Sequence, residues 1–176
     1  MMTAWKQRKM IDLASKIKMI ANHGQETKYQ HKLIGCNSRL DSIQAAVLLA
    51  KLTVFDAELV LRNKVASNYL SKLSGIGLRS IPVIKSYNQS VWAQFTIETE
   101  NRGEIQQYLT DRDIPTAVHY PIPLNRQPAV EDTKSYLPVS EHAAKCVMSL
   151  PMGPYLTNYD QEIIIDELTA AIVSAK

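Results

Sequence analysis

The sequence predicts an α+β fold, in which a small antiparallel sheet with covering helices is preceded by long helices. Three observations predict it. Residues 1–73 carry apolar positions at helical spacing almost throughout. Two later segments alternate or concentrate β-forming residues. A proline-punctuated block then leads through a short helix and an extended piece to a last helix. Helices followed by short strands and further helices form layers of helix on sheet.

The first helix runs through His23, with Ile11, Ala14, Ile17, Met19 and Ile20 on its apolar side, and Gly24 is its stop. Residues 25–36 read as a polar connector. A second helix starts at Asp41, with Gln44 three residues on as a capping box, and presents Ile43, Ala46, Val47 and Ala50 to about Leu52. Thr53–Asp56 interrupts it, and Asp56 is the expected cap of a third helix to about Leu73. The two make one long bent segment that Ser74-Gly75-Ile76-Gly77 ends.

SVWAQFTIET (90–99) predicts a half-buried strand with Val91, Ala93, Phe95 and Ile97 inward and Trp92 on the opposite face. Residues 101–112 form a short helix around Ile105, Tyr108 and Leu109. Thr116–Tyr120 is a second strand between Pro115 and Pro121. Further strands are expected near 78–84 and 148–151. Residues 121–138 hold too many prolines for helix. A short helix follows over Ser140–Met148, then a rigid extended piece from Leu150 to Leu156. Asn158 or Asp160 caps the last helix, to about Ala175.

Composition narrows the function classes. The chain has 176 residues, 45 % hydrophobic and 21 % charged, with net charge +3. Lys and Arg are scattered, so no nucleic-acid stripe is expected. No apolar run approaches the ~20 residues of a membrane span. MMTAWKQRKM leads into a mixed, charged helix, which predicts no secretory leader. Cys36 and Cys146 lie far apart without ligand spacing and read as free thiols of a reducing cytoplasm. His23 and His31 are too loosely placed for a metal site, so no metal is expected.

Two constellations carry chemistry. Gly35-Cys36-Asn37-Ser38-Arg39 stands directly before the second helix. Asp41 already caps that helix, so Asn37 and Arg39 are spare. An amide and a forked guanidinium at the positive end of a helix suit a phosphate or carboxylate. The competing reading is a solvated loop in which Arg39 pairs with a nearby acid. The second constellation is IPTAVHYPIPLNRQPAV (114–130), where His119 and Tyr120 end a strand and enter a rigid loop. The competing reading makes Tyr120 packing and His119 surface. Arg126 reads as solvated. No Ser-His-Asp set or phosphate-cradling glycine loop is present.

Five stretches in order, NHGQ (22–25), GCNSRLDSIQAAVLL (35–49), SVWAQFTI (90–97), IPTAVHYPIPL (114–124) and SLPMGPYLT (149–157), resemble the C-terminal half of the pyridoxal-phosphate-dependent nucleotide-sugar aminotransferases of the DegT/StrS type. The resemblance covers roughly residues 11–174. Its wording is most similar to the group that aminates UDP-2-acetamido-2-deoxy-3-oxo-glucuronate for lipopolysaccharide sugars, with glutamate as amino donor. It implies a fold type I homodimer with active sites shared between subunits. It divides the chain into 1–36 (helix and connector from the large domain), 37–74 (dimer and inter-domain helices) and 75–176 (the small domain). By motif, Asn37 matches the residue that reaches the cofactor phosphate across the dimer. Arg39 matches a substrate-side guanidinium suited to a uronate carboxylate. His119 and Tyr120 match positions near the sugar cleft.

The family's cofactor-bearing lysine lies N-terminal to the NHG motif, so the resemblance implies no catalytic residue here and no covalently held cofactor. Lys16 follows a serine but sits on an amphipathic helix and does not match it. Cys36 stands where the family has Tyr, and Gly153 where it has His. The expectation is a truncated aminotransferase, inactive alone. The rival readings are half of a split enzyme completed by a separate large-domain chain, a non-catalytic nucleotide-sugar or partner-binding module, and a disrupted gene or misassigned start. The nucleotide sequence upstream of Met1 discriminates among them.

Overall fold

Phe95 and Ile97, both fully buried, mark the centre of the larger of two compact units. The computed structural model describes residues 4–132 and 134–175, with side chains from Met10 onward. The units are residues 1–53 and 54–176.

In the first unit, α1 (Ala4–Ala21) leads to a hairpin of β1 (Gln25–Thr27) and β2 (Gln30–His31), then to α2 (Ser42–Leu52). The hairpin replaces most of the expected connector. It forms because Tyr29 and Gly24 both take positive φ, which turns the polar chain back on itself. Gly24 also fits the expected stop: α1 closes at Ala21, and Gly24 sits at φ 75° just beyond. The Asp41–Gln44 capping box is present in full. No residue of α2 is buried.

The second unit begins with α3 (Phe55–Lys72) and continues through β3 (Phe95–Glu98), α4 (Arg102–Thr110), two 3₁₀ turns (Leu124–Arg126 and Pro128–Val130), α5 (Pro138–Cys146), β4 (Val147–Leu150) and α6 (Asn158–Ser174). β3 and β4 pair antiparallel, with Phe95 opposite Leu150 and Ile97 opposite Met148. Ser80 bridges to Glu98 on one side, and Ala117 to Ser149 on the other. α3 and α6 cover the pair. Gln161, Ile164, Ile165, Leu168, Ala171 and Ile172 give α6 a buried stripe at helical spacing. Gln161 is itself buried, and it is satisfied: Nε2 donates to the Val65 carbonyl at 2.7 Å, and Oε1 accepts from Asn68 at 2.9 Å.

Several expectations need correction. The strand expected over 90–99 starts only at Phe95, and Val91 and Ala93 are exposed. Trp92 is buried, not outward. Its indole N–H donates to Asn63 Oδ1 at 3.0 Å, its carbonyl accepts from Arg62, and its φ of 50° breaks the extended run. The indole therefore stacks beside Phe95, with centroids 5.6 Å apart, on the same side. The segment 116–120 contributes a single bridge, because Pro115 and Pro121 bracket it and remove ladder donors. The helix expected to reach Met148 stops at Cys146, and Val147–Leu150 is a strand because Met148, Ser149 and Leu150 are buried against β3. Asp56 lies in the first turn of α3 and is not its cap; Val54 is. Thr157 caps α6 in place of Asn158 or Asp160, with its hydroxyl accepting from the Asp160 N–H.

Candidate functional site

The turn of the first unit is built by two interlocked glycines. Cys36 N–H donates to the Ile20 carbonyl, His23 N–H to the Cys36 carbonyl and Ser38 N–H to the Ala21 carbonyl. These bonds hold Gly35–Ser38 against the end of α1, and Asn22 and Asn37 form a bridge. A Cβ on Gly35 would stand 2.1 Å from Gly24 N, and one on Gly24 would stand 1.6 Å from Leu33 O. Only hydrogen fits at either position.

The outcome on the turn is an exposed pair. Arg39 Nε donates to Asn37 Oδ1 at 3.1 Å. No described carboxylate pairs with Arg39, unlike in the solvated-loop reading. The bond spends the amide's acceptor and one guanidinium donor, which leaves the Asn37 NH₂ and the Arg39 Nη groups for an anion. Ser15, Lys18, Asn22, Gln25, Ser38 and Arg39 line an open cleft of about 820 Å³ here. Its two cations and its amides suit a phosphate or carboxylate. Glu26 also lines it, but Lys32 neutralises that carboxylate at 2.6 Å.

The second unit holds a separate cavity of about 640 Å³. His119 and Tyr120 sit at its rim just past the Ala117 bridge, with ring centroids 5.5 Å apart edge to face. Tyr120 is 73 % exposed, so it is not packing. Leu124, Leu137 and Val147 supply apolar wall, and Asn125, Ser140 and the exposed Asp132 are further polar residues of the lining. Arg126 is not merely solvated. Nε and Nη2 both meet Glu141 Oε1, at 2.9 and 2.6 Å, which clamps the 3₁₀ turn to α5. Sequence reasoning missed Asn125 and Asp132. Periodicity is silent in an irregular loop, but Asp132 with Ser135 three residues on is a legible Asx signal. Asp132 accepts from the Ser135 hydroxyl and the Lys134 N–H, and these bonds hold its carboxyl below the usual range.

The described residues hold no metal-binding cluster and no helix long and apolar enough to cross a membrane. Cys36 is exposed and Cys146 buried, both as free thiols.

The model of the DegT/DnrJ/EryC1/StrS aminotransferase family matches residues 11–169. A UDP-2-acetamido-2-deoxy-3-oxo-D-glucuronate aminotransferase of Pseudomonas aeruginosa is 51 % identical over 158 residues, which cover 90 % of this chain and 44 % of that protein. The crystal structure of Streptomyces venezuelae DesV in complex with a ketimine intermediate superposes with a TM-score of 0.84 at 37 % identity, over 92 % of this chain and 44 % of that one. Bacillus subtilis NtdA with bound cofactor PMP gives 0.79 at 27 % identity, over 92 % and 40 %. The chain thus spans less than half the length of the relatives it matches.

Proposed function

The chain belongs to the DegT/DnrJ/EryC1/StrS aminotransferase family, and on that premise we propose that it forms the small-domain side of a sugar aminotransferase acting on a UDP-3-keto sugar, with UDP-2-acetamido-2-deoxy-3-oxo-glucuronate as the substrate and glutamate as amino donor. The observation that carries the reading is the 51 % identity to the Pseudomonas glucuronate enzyme across nearly the whole chain. In this reading Asn37 donates to the phosphate of pyridoxal phosphate and Arg39 grips the sugar carboxylate. His119 and Tyr120 line the sugar cleft. The unspent donors at Asn37 and Arg39 fit such anions. When bound, pyridoxal phosphate supplies the electron sink that lets an amino group pass between donor and keto sugar. The lysine that anchors it comes from large-domain polypeptide other than these residues, in the same chain or a separate one. By themselves the 176 residues do not transaminate.

The test is a chimera that joins the upstream half of the Pseudomonas enzyme to this chain. We expect glutamate-dependent amination of the 3-keto uronate. A folded, cofactor-loaded chimera without that activity overturns the reading.

The same reading makes the chain a partner in a shared assembly. Ile43 is 79 %, Leu49 67 % and Leu52 62 % exposed, all on α2, which buries nothing. Apolar faces of that kind drive association. Sedimentation of the isolated chain at tens of micromolar should show dimers or larger species. A single compact monomer would count against it.

A further inference from the structure

The cavity beside His119 and Tyr120 lies between two walls. One is the loop over residues 120–132, and the other is α5 with the start of β4, from 137 to 147. The α5 wall is anchored to the core. Ala144 and Cys146 are buried, Arg102 donates to the Val147 carbonyl at 3.3 Å, and β4 pairs with β3 directly afterwards. The loop wall is braced within itself. Pro121, Pro123 and Pro128 fix their own φ angles. Arg126 N–H donates to the Pro123 carbonyl and Asp132 N–H to the Asn125 carbonyl, both at 2.9 Å, and Gln127 Nε2 reaches back to the Ile122 carbonyl at 3.3 Å. A loop braced in this way shifts as a body, and Tyr120 at its start shifts with it.

Little holds the two walls to each other. Apolar contact between them is loose: Leu124 is 76 % and Val130 55 % exposed, although both line the cavity. Among the described residues, the Arg126–Glu141 pair is the one hydrogen bond or ion pair that crosses from loop to α5. Glu141 stands in the first turn of α5, where the positive end of the helix favours a carboxylate. Two guanidinium donors converging on its Oε1 fix a direction as well as a distance. Neither residue is part of the cavity lining, so the pair acts on the cleft without touching what fills it.

We propose that Arg126 is a positioning residue, which through Glu141 sets the separation of loop and α5 and so holds His119 and Tyr120 at the spacing the sugar requires. This rests on the sugar-nucleotide reading above.

The experiment uses the active chimera and its Arg126→Gln, Glu141→Gln and doubly substituted variants, with full kinetics for the 3-keto uronate. A cleft that is correctly spaced for only a fraction of the time binds its ligand more weakly by that fraction. The side chains are 38 % and 32 % exposed, so solvent screens the pair and the effect is moderate. Each single variant should raise the Michaelis constant about 2- to 5-fold while kcat stays near the parental value. The double variant should lose no more than either single one, because the two residues act as a unit. A merely structural role would lower the folded fraction, and with it kcat, and leave the Michaelis constant unmoved. That result overturns the positioning role, as do single losses that simply add, and both leave the sugar-nucleotide reading intact. A parental chimera that is folded, cofactor-loaded and inactive overturns the reading and the positioning role together.

Discussion

Gly35→Ala is expected to dismantle the Asn37–Arg39 turn while leaving the second unit folded. The added Cβ would lie 2.1 Å from Gly24 N and 2.5 Å from the Ile20 carbonyl oxygen, both backbone atoms. A flexible side chain can swing away from a clash, but these atoms belong to the end of α1 and to a glycine already at φ 75°. The chain can relieve the contact only by breaking the bonds from Cys36 to Ile20 and from Ser38 to Ala21. Overpacking of a tolerant core costs about 1–3 kcal/mol, and a backbone-to-backbone clash belongs at or above the top of that range. The first unit has few buried contacts to offset it: Gly24 is its only buried residue among those described. Amide exchange is the measurement. Protection at Cys36 and Ser38 should collapse to solvent rates, while the amides of β3, β4 and α6 keep parental protection. Unchanged protection at Cys36 and Ser38 would mean that the glycine contact is not what holds the turn.

How far the sequence carried this reading depended on whether the determining interaction was local. The capping box at Asp41 and Gln44 and the helix stop at Gly24 are set by residues close in sequence, and each was legible. The reach of the strand at Phe95 was not. Trp92 turns inward because Asn63, twenty-nine residues earlier, accepts from its indole, and alternation carries no trace of that bond. The boundary between α5 and β4 failed for a related reason. Val147 and Met148 suit either element, and only the pairing with Glu98 and Ile97 decides for strand. At the candidate sites the spare status of Asn37 and Arg39 was readable, because the cap was visibly filled. Their bond to each other was not.

Arg39→Ala, in the chimera that carries the lysine-bearing half, is expected to raise the Michaelis constant for the keto uronate by about 10- to 150-fold, the span of a hydrogen bond to a charged group at ~1.5–3 kcal/mol. Cofactor retention should hardly change. The two-pronged fork of the guanidinium matches both oxygens of a carboxylate, and Arg39 spends only Nε on Asn37. Arg39→Lys should recover little of the loss, because an ammonium keeps the charge but lacks the planar pair of donors. Asn37→Ala should show the opposite split. It removes a neutral donor to phosphate and weakens cofactor retention by about 0.5–1.5 kcal/mol, or up to ~3 kcal/mol if the phosphate charge strengthens the bond. It also frees Arg39 Nε, so a modest rise in the sugar Michaelis constant should accompany it as the guanidinium loses its guide. A double mutant measures that coupling directly. If Asn37 positions Arg39, the combined loss for the sugar is smaller than the sum of the single losses. Strict additivity would show that the 3.1 Å bond does not orient the guanidinium. No change in either titration for either single variant would return the turn to what its position alone requires, an entrance to α2.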